Sequence, residues 1–465
     1  MKIVKYCLVF ICCFTIAISR PSDESNDKKD ETKSDLATNG NSIQNAIEKV
    51  FYHGAQVLNV YAENVKKIVD ELIAKGGAEE WGGNKTHFDV FIPKDNVPRI
   101  KSYLAEKNIE HKIMIEDVQV AIDSENPSMI DSVPKMHHLF DESKLYFLTT
   151  PAWGHHMKNL VSRPGHKMTW RSYHRLADIY GYLDYLAENY SNIVSVGSVG
   201  NSVEGQQIKY IKISSGKPNA TKFWIDGGMH GREWISPATV TYIIREFVEN
   251  RQAHMPDIDG IDFYIVPVVN PDGYEYSHTT KRTWLKNRSK GNDSCVGTDL
   301  NRNWGYMWGG QGTSEGNCSI HYRGTKAFSE PETRSVADFI VERKDNMKAF
   351  ISFHSYGQFI LIPYSYQSEI LPSDFNELEE VAEKAALAIK SSTGALYTVG
   401  NSAKLICAVS GVSADWAIGF AGIKYAYTIE LADGEQGFIV PAQDIITIGK
   451  EGLAAVKTVA TALHD

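Results

Sequence analysis

The chain is short of positive charge and of cysteine, and beyond its first twenty residues it has no long apolar run. Lys and Arg number 48 against 57 Asp and Glu, giving a formal net charge of -9 and a pI near 5.9. No stretch combines a Lys/Arg block with interleaved aromatics, so the field that draws a polyanion is missing and nucleic acid is excluded as a partner. A bilayer-spanning helix needs about 20 apolar residues, and nothing after residue 20 qualifies, so no membrane span is expected. Of six cysteines, Cys7, Cys12 and Cys13 fall within the first twenty residues, leaving Cys295, Cys318 and Cys407 in the rest. What the sequence does have is core material: 43% hydrophobic and 11% aromatic residues over 465 positions, ample for a globular protein of about three domains.

The opening "MKIVKYCLVFICCFTIAISR" sets Lys2 and Lys5 before an apolar run and ends on the small-residue pattern Ala17-x-Ser19. This is the form of a secretory signal over residues 1–19. A membrane anchor is the alternative, but about 14 apolar residues are short for a span. A secreted, oxidised chain with three cysteines is expected to bridge two of them, and the short spacing favours Cys295 with Cys318, leaving Cys407 over. Six N-x-S/T sequons (Asn84, Asn189, Asn219, Asn287, Asn292, Asn317) are compatible with secretion.

Residues 20–45 are polar and charged with little to bury, and read as an acidic flexible linker. A small domain over 46–123 follows. "QVLNVYA" alternates as a strand, and Val65, Ile68, Val69, Leu72 and Ile73 mark one helical face. "HFDVFIP" alternates again, Val97, Ile100 and Leu104 mark a second helix, and "HKIMIED" returns as a strand. The pattern predicts an α+β open sandwich of three strands and two helices, with no catalytic constellation inside it. Residues 124–168 lose periodicity and carry four prolines, as an exposed, protease-sensitive connector does. Its five histidines (His137, His138, His155, His156, His166) are read as part of a solvated loop in preference to a metal tract.

From 169 to 465 the pattern predicts an α/β domain with helices around a central sheet. "KFWIDGG", "IDFYIVPVVN", "KAFISFHSY" and "KYAYTIEL" are nearly continuous apolar runs, as strands buried on both faces should be. Helical segments lie at 237–250, 329–343, 373–391 and 441–463. Reactive groups in such sheets collect beyond the strand carboxyl ends, and these runs end at His230 with Glu233, Asn270 with Asp272, His354, and Glu430. His230 and Glu233 stand three apart and can grip one ion from a single turn; His354 would complete a His/Glu/His zinc set with the fourth position open. The H-x-x-E spacing alone is weak, since it recurs by chance. A water activated at such an ion must lose a proton to a nearby base, a role that suits Glu430.

The segments "HGREWISPA", "NPDGYEYS", "CVGTDLNRNW", "YRGTKAFSEPET", "FHSYGQ", "GVSADWA" and "YTIEL" stand in the order and spacing of the secreted zinc metallocarboxypeptidases, the pancreatic A/B type made as zymogens. The resemblance covers about residues 169–465, and the amino-terminal sandwich resembles their activation domain. It implies a mixed central sheet with helices on both faces, one Zn²⁺ held by His230, Glu233 and His354, and Glu430 as general base. It also implies that Asn301 and Arg302 hold the substrate's terminal carboxylate, and that Arg232, Arg282 and Tyr356 are further substrate contacts. A planar two-pronged guanidinium suits a carboxylate, which would make the enzyme read chain ends. The same resemblance supports the Cys295–Cys318 disulfide and an activating cut near Arg163 or Lys167. Partners implied are peptide and protein C-termini, an activating protease and protein inhibitors.

Two departures from the family pattern, at Leu285 and Cys407, matter most. Leu285, in "KRTWLKNRS", stands where an arginine normally polarises the scissile carbonyl, and Arg282 and Lys286 are the basic residues nearest to replace it. Cys407 stands at the position of a mobile tyrosine. It reads as a small neutral replacement, against a thiol that contacts zinc or is regulated by oxidation, or one that pairs between molecules. Ala414 occupies the place where B-type enzymes carry an aspartate, so neutral apolar side chains are favoured, with Val409 and Val412 narrowing the pocket. The loop in "ELADGEQGF" is one residue short. The leading expectation is a secreted zymogen of a zinc exopeptidase, with weakened or retuned catalysis. The competing one is a zinc-binding homologue that captures C-termini or an inhibitor without efficient turnover.

Overall fold

The structure, a computed structural model, describes residues 48–127, 165–291, 294–432 and 436–464. The expected signal, the linker, Arg163, Asn292 and four of the five connector histidines lie outside these residues. Among the described residues no helix is long and apolar enough to cross a membrane.

The amino-terminal part folds as β1 (Gln56–Tyr61), α1 (Val65–Ala74), β2 (Glu79–Gly83), β3 (His87–Ile92), α2 (Val97–Glu106), β4 (Glu110–Ile115) and α3 (Val118–Glu125). Its sheet has the order β2-β3-β1-β4. Alternation sorts the side chains: Leu58, Val60, Phe88, Val90 and Ile92 face α1 and α2 and meet Val69, Leu72 and Leu104. The opposite face carries Val57, Trp81, Phe91 and Ile115, and it packs on Phe438 and Ile439 of the larger domain. The small sheet is therefore sandwiched between its own helices and the larger domain.

Two elements here escape the sequence pattern. β2, "EEWGG", holds one apolar side chain among five residues and two glycines, so it carries no period-two signal. α3 runs into the stretch expected to be an exposed connector; its start is capped by Asp117, whose carboxylate accepts the amides of Gln119 and Val120. Glu125 at its end is 1% exposed. His166 is likewise no part of a solvated loop, because it is buried with its ring against Tyr182 and Tyr185.

The larger domain is built on β5 (Val194–Asn201), β6 (Gln207–Ile213), β7 (Thr221–Asp226), β8 (Ile261–Val266), β9 (Met347–Ser355), β10 (Phe359–Ile362), β11 (Thr398–Asn401) and β12 (Tyr425–Leu431). Their order is β11-β10-β12-β9-β7-β8-β6-β5. The central four, β12-β9-β7-β8, are mutually parallel, while β5, β6 and β10 join antiparallel, giving the mixed sheet expected. Helices cover both faces. Phe223 and Ile225 enter one core with the helices Ile235–Glu249 and Ile445–Thr461; Trp224 between them enters the other, with Pro331–Arg343 and Ser413–Gly419. Neither core draws a residue from before Met168, so this domain has a complete interior of its own. Cys295 and Cys318 are joined as a disulfide and Cys407 is free. The sequon at Asn287 is closed in the folded protein, since that side chain is fully buried and donates to Glu330 and Glu332.

Candidate metal centre and substrate cleft

The carboxyl ends of β7, β9 and β12 converge on one group. β7 ends at Asp226, and the tight chain through Gly227 and Gly228 brings His230 and Glu233 back over the sheet. His354 is the penultimate residue of β9, and Glu430 is its register partner on β12. Donor atoms of His230, Glu233 and His354 lie within 4.8 Å of one another, and they are the one such group among the described residues. Nδ1 of His230 is 2.7 Å from one Glu233 oxygen, and Nδ1 of His354 is 3.1 Å from the other.

Both imidazoles are held from behind. His230 Nε2 lies 3.0 Å from Asp299, and His354 Nε2 lies 3.2 Å from the Ser352 hydroxyl, which donates to Asp226. Such partners fix ring orientation and leave the opposite nitrogen to face an ion. The field also calls for a cation. Burial opposes a charged His230, yet Glu233 and Asp299 overcome it and raise its pKa to about 10. Burial would likewise raise Glu233, but His230 and His354 hold its carboxyl down to about 2. Two nitrogens, one carboxylate and an open side form a donor set that fits zinc.

Glu430 is pushed up to about 7 by burial, with the Glu233 charge adding to the rise and His354, His230 and Arg302 opposing it. Asn270 and Asp272 beyond β8 have structural work instead. Asn270 accepts the Gly273 amide and donates to the carbonyls of Met229 and Lys286, while Asp272 accepts from Ser202 and the Glu204 amide.

A cleft of about 180 Å³ opens over this group, lined among others by Arg232, Leu285, Asn301, Arg302, Tyr356 and Cys407. Asn301 accepts the Ser413 amide, and Arg302 is braced by the carbonyls of Gly312 and Asn301. Ala414 sits lower, 2% exposed in the second core beside Trp416. The neighbouring Asp415 spends its carboxylate on the amides of Ser365 and Tyr366, and burial raises it to about 7.

The amino-terminal sheet reaches into the same cleft, which the sequence did not signal. The β2 carbonyl of Trp81 accepts from Arg232 Nη2 at 2.9 Å, and the Arg232 guanidinium stacks 3.9 Å from the Phe438 ring. Tyr356 donates to Asp89. Gly82 permits this approach, since a Cβ there would lie 2.6 Å from the Tyr356 hydroxyl. Gly437, at φ +64, does the same for Trp81 from the other side. Arg282 is not open to the cleft. It is buried, pairs with Glu125 through Nε at 2.7 Å, and donates to the carbonyls of Arg232 and Phe438. Lys286 turns away to the carbonyls of Asn317 and Ser319.

Burial raises the Cys407 thiol above its ordinary value, against the pull of Arg302, so it is protonated at neutral pH. Iodoacetamide at pH 7.5 should therefore alkylate Cys407 of the full chain about tenfold more slowly than an unhindered thiol, with the rate still climbing at pH 9. Fast alkylation at neutral pH would instead mark a thiolate.

Comparison with known proteins agrees with this architecture. A family model described as zinc carboxypeptidase matches residues 179–455, and one described as carboxypeptidase activation peptide matches 59–125. The chain is 34% identical to carboxypeptidase A1 of Bos taurus over 89% of its own length and 95% of that protein. It is 43% identical to carboxypeptidase B of Astacus astacus, over 64% of this chain and 99% of the relative. Among solved structures, the carboxypeptidase A from Helicoverpa armigera superposes with a TM-score of 0.75 at 27% identity, covering 89% of this chain and 98% of that one.

Proposed function

Because the chain belongs to the zinc carboxypeptidase family and carries the family's activation peptide, we propose that it is the secreted precursor of an exopeptidase that removes neutral C-terminal residues. The observation that carries this reading is the convergence of His230, Glu233, His354 and Glu430 in one cleft with Arg302. Residues 46–123 act as the activation domain and 124–168 as the connector that an activating protease cuts. Lys167 is an accessible target, with its side chain 82% exposed.

When bound, zinc supplies a Lewis acid that polarises a carbonyl and eases ionisation of water. Arg302, helped by Asn301, grips the terminal carboxylate and sets the scissile bond one residue upstream. Glu430 takes a proton from the attacking water on its carboxylate and hands it to the leaving amine. Its elevated pKa matches that two-way transfer near neutral pH. Arg232 contacts a carbonyl of the substrate chain, as it contacts that of Trp81 in the precursor.

The relatives bear both A and B names, so the side-chain preference rests on the pocket. Ala414 offers no charge and Asp415 is committed to two amides, which leaves a basic C-terminal residue without a counter-charge. Leu361, Val409 and Val412 line the cleft and favour apolar side chains, while Ser365, Ser402 and Thr428 leave room for small polar ones.

The second reading, a homologue that binds C-termini or an inhibitor with poor turnover, is favoured by Leu285 and by the commitment of Arg282 and Lys286 elsewhere. Hydrolysis of a blocked dipeptide ending in Leu or Phe by trypsin-trimmed, zinc-loaded protein separates the two. Chelator-sensitive turnover is expected, and its absence from folded protein with one bound zinc would favour the binding reading.

A further inference from the structure

A second cavity, of about 660 Å³, shares Glu80, Arg232, Leu285 and His321 with the catalytic cleft but not Asn301 or Arg302. It therefore extends from the cleft on the side away from the carboxylate grip, where the upstream residues of a substrate would run. Its two walls differ in charge. Among its described lining residues the catalytic domain contributes Arg232, Lys281, Lys286, Arg288 and His321 and no carboxylate. The carboxylates there, Asp70, Glu79 and Glu80, all belong to the activation domain.

β2 lies across this boundary as a stretch of peptide in an occupied groove. Glu79 faces Lys281 at 3.4 Å, Glu80 faces His321 Nε2 at 3.3 Å, and the next carbonyl, that of Trp81, is held by Arg232. Glu80 also meets Lys66 of its own domain at 3.3 Å, and its carboxyl is held down to about 2, burial being outweighed by His321 and Lys66. The other ring nitrogen of His321 is buried, 3.7 Å from Asp299. That leaves Nε2 as the edge presented to whatever replaces Glu80. Removal of the activation segment takes away the three carboxylates together with Lys66 and leaves the cations of the catalytic domain.

From this we infer that the mature enzyme prefers peptides carrying acidic residues upstream of the scissile bond, with His321 and Lys281 as the residues that read them. The inference rests on the exopeptidase reading and adds to it a substrate class. Glu79 and Glu80 serve the precursor as stand-ins for those substrate side chains, so the activation strand occupies the groove by charge as well as by shape.

The test uses protein trimmed from the folded full chain and stripped of metal, so that no peptide is consumed. Its catalytic domain has its own cores, and 301 residues, about the size of that domain, match 99% of the Astacus astacus relative. Hexapeptides ending in Leu, with Glu, Gln or Lys two to four residues upstream, are titrated by calorimetry, each also as its C-terminal amide. The Glu peptides should bind about tenfold tighter than the Gln peptides and tighter still than the Lys peptides, the gap narrowing with added salt. His321→Gln and, should that variant fold poorly, Lys281→Gln should each cut the Glu-over-Gln preference severalfold while amidation weakens every peptide alike. Equal binding of Glu and Gln peptides, with amidation still weakening them, would overturn the acidic preference and leave the exopeptidase reading intact. Binding indifferent to amidation would overturn both.

Discussion

Glu430→Gln should lower kcat/KM of the trimmed, zinc-loaded enzyme by about 10²- to 10⁴-fold, the range for loss of a positioned general base. The glutamine keeps the shape and the place on β12 opposite His354, but an amide accepts no proton at neutral pH and returns none to the leaving amine. Because ground-state contacts persist, peptide affinity should change by less than about threefold. Thermal unfolding of the metal-free protein gives an independent readout. Burial raises the folded-state pKa of Glu430 to about 7 from 4.5. The folded state then binds more protons than the unfolded one, so the wild-type carboxyl costs stability progressively as pH rises from about 4.5 to 7. The glutamine variant escapes that cost and should melt no lower than wild type at pH 8. A variant that retained activity within about threefold would place the proton acceptor elsewhere.

Leu285→Arg should raise kcat/KM of the trimmed enzyme by about 10²- to 10³-fold, the usual worth of one donor aimed at a developing oxyanion. The backbone at this position is pinned beside the metal group, since the Leu285 carbonyl accepts the Gly231 amide at 2.9 Å. Its side chain lines both the catalytic cleft and the upstream cavity, and it offers no hydrogen bond to a carbonyl gathering negative charge. The two nearby cations cannot serve: Arg282 is tied to Glu125 and two carbonyls, and Lys286 to two others. Removal of the activation segment frees Arg282 from Glu125 but not from the carbonyls of Arg232 and Phe438. A gain in rate with little change in peptide affinity would show that the wild type lacks this stabilisation. An unchanged rate would mean that another group, such as Arg232 or His321 in the shared lining, already supplies it.

The larger domain was readable in the sequence because its information is local. Four apolar runs each end in a polar group, and those strands form the parallel centre of the sheet, so β7, β9 and β12 deliver His230 with Glu233, His354 and Glu430 to one place. The strands flanking that centre, β5, β6, β10 and β11, leave no clear sequence signal, since they alternate weakly or are only four residues long. The activation strand β2 is silent in the sequence for a related reason: two glycines and two glutamates around Trp81 carry no periodicity. Their value lies in what they approach across the domain boundary. Composition places Glu125 and His166 in a solvated connector, whereas a distant arginine and two tyrosines bury them. Pairings of that kind are long-range, and no window of sequence contains them.

The register of β12 on β9 has a consequence for how this architecture tolerates change. His354 and Glu430 are 76 positions apart in the chain but face each other across one rung, so their spacing is the inter-strand distance of about 4.8 Å. Loops that shape the pocket, including the one that carries Cys407, can be lengthened, shortened or exchanged without moving that rung. Diversification of substrate preference and preservation of the reaction are thereby assigned to separate parts of the chain.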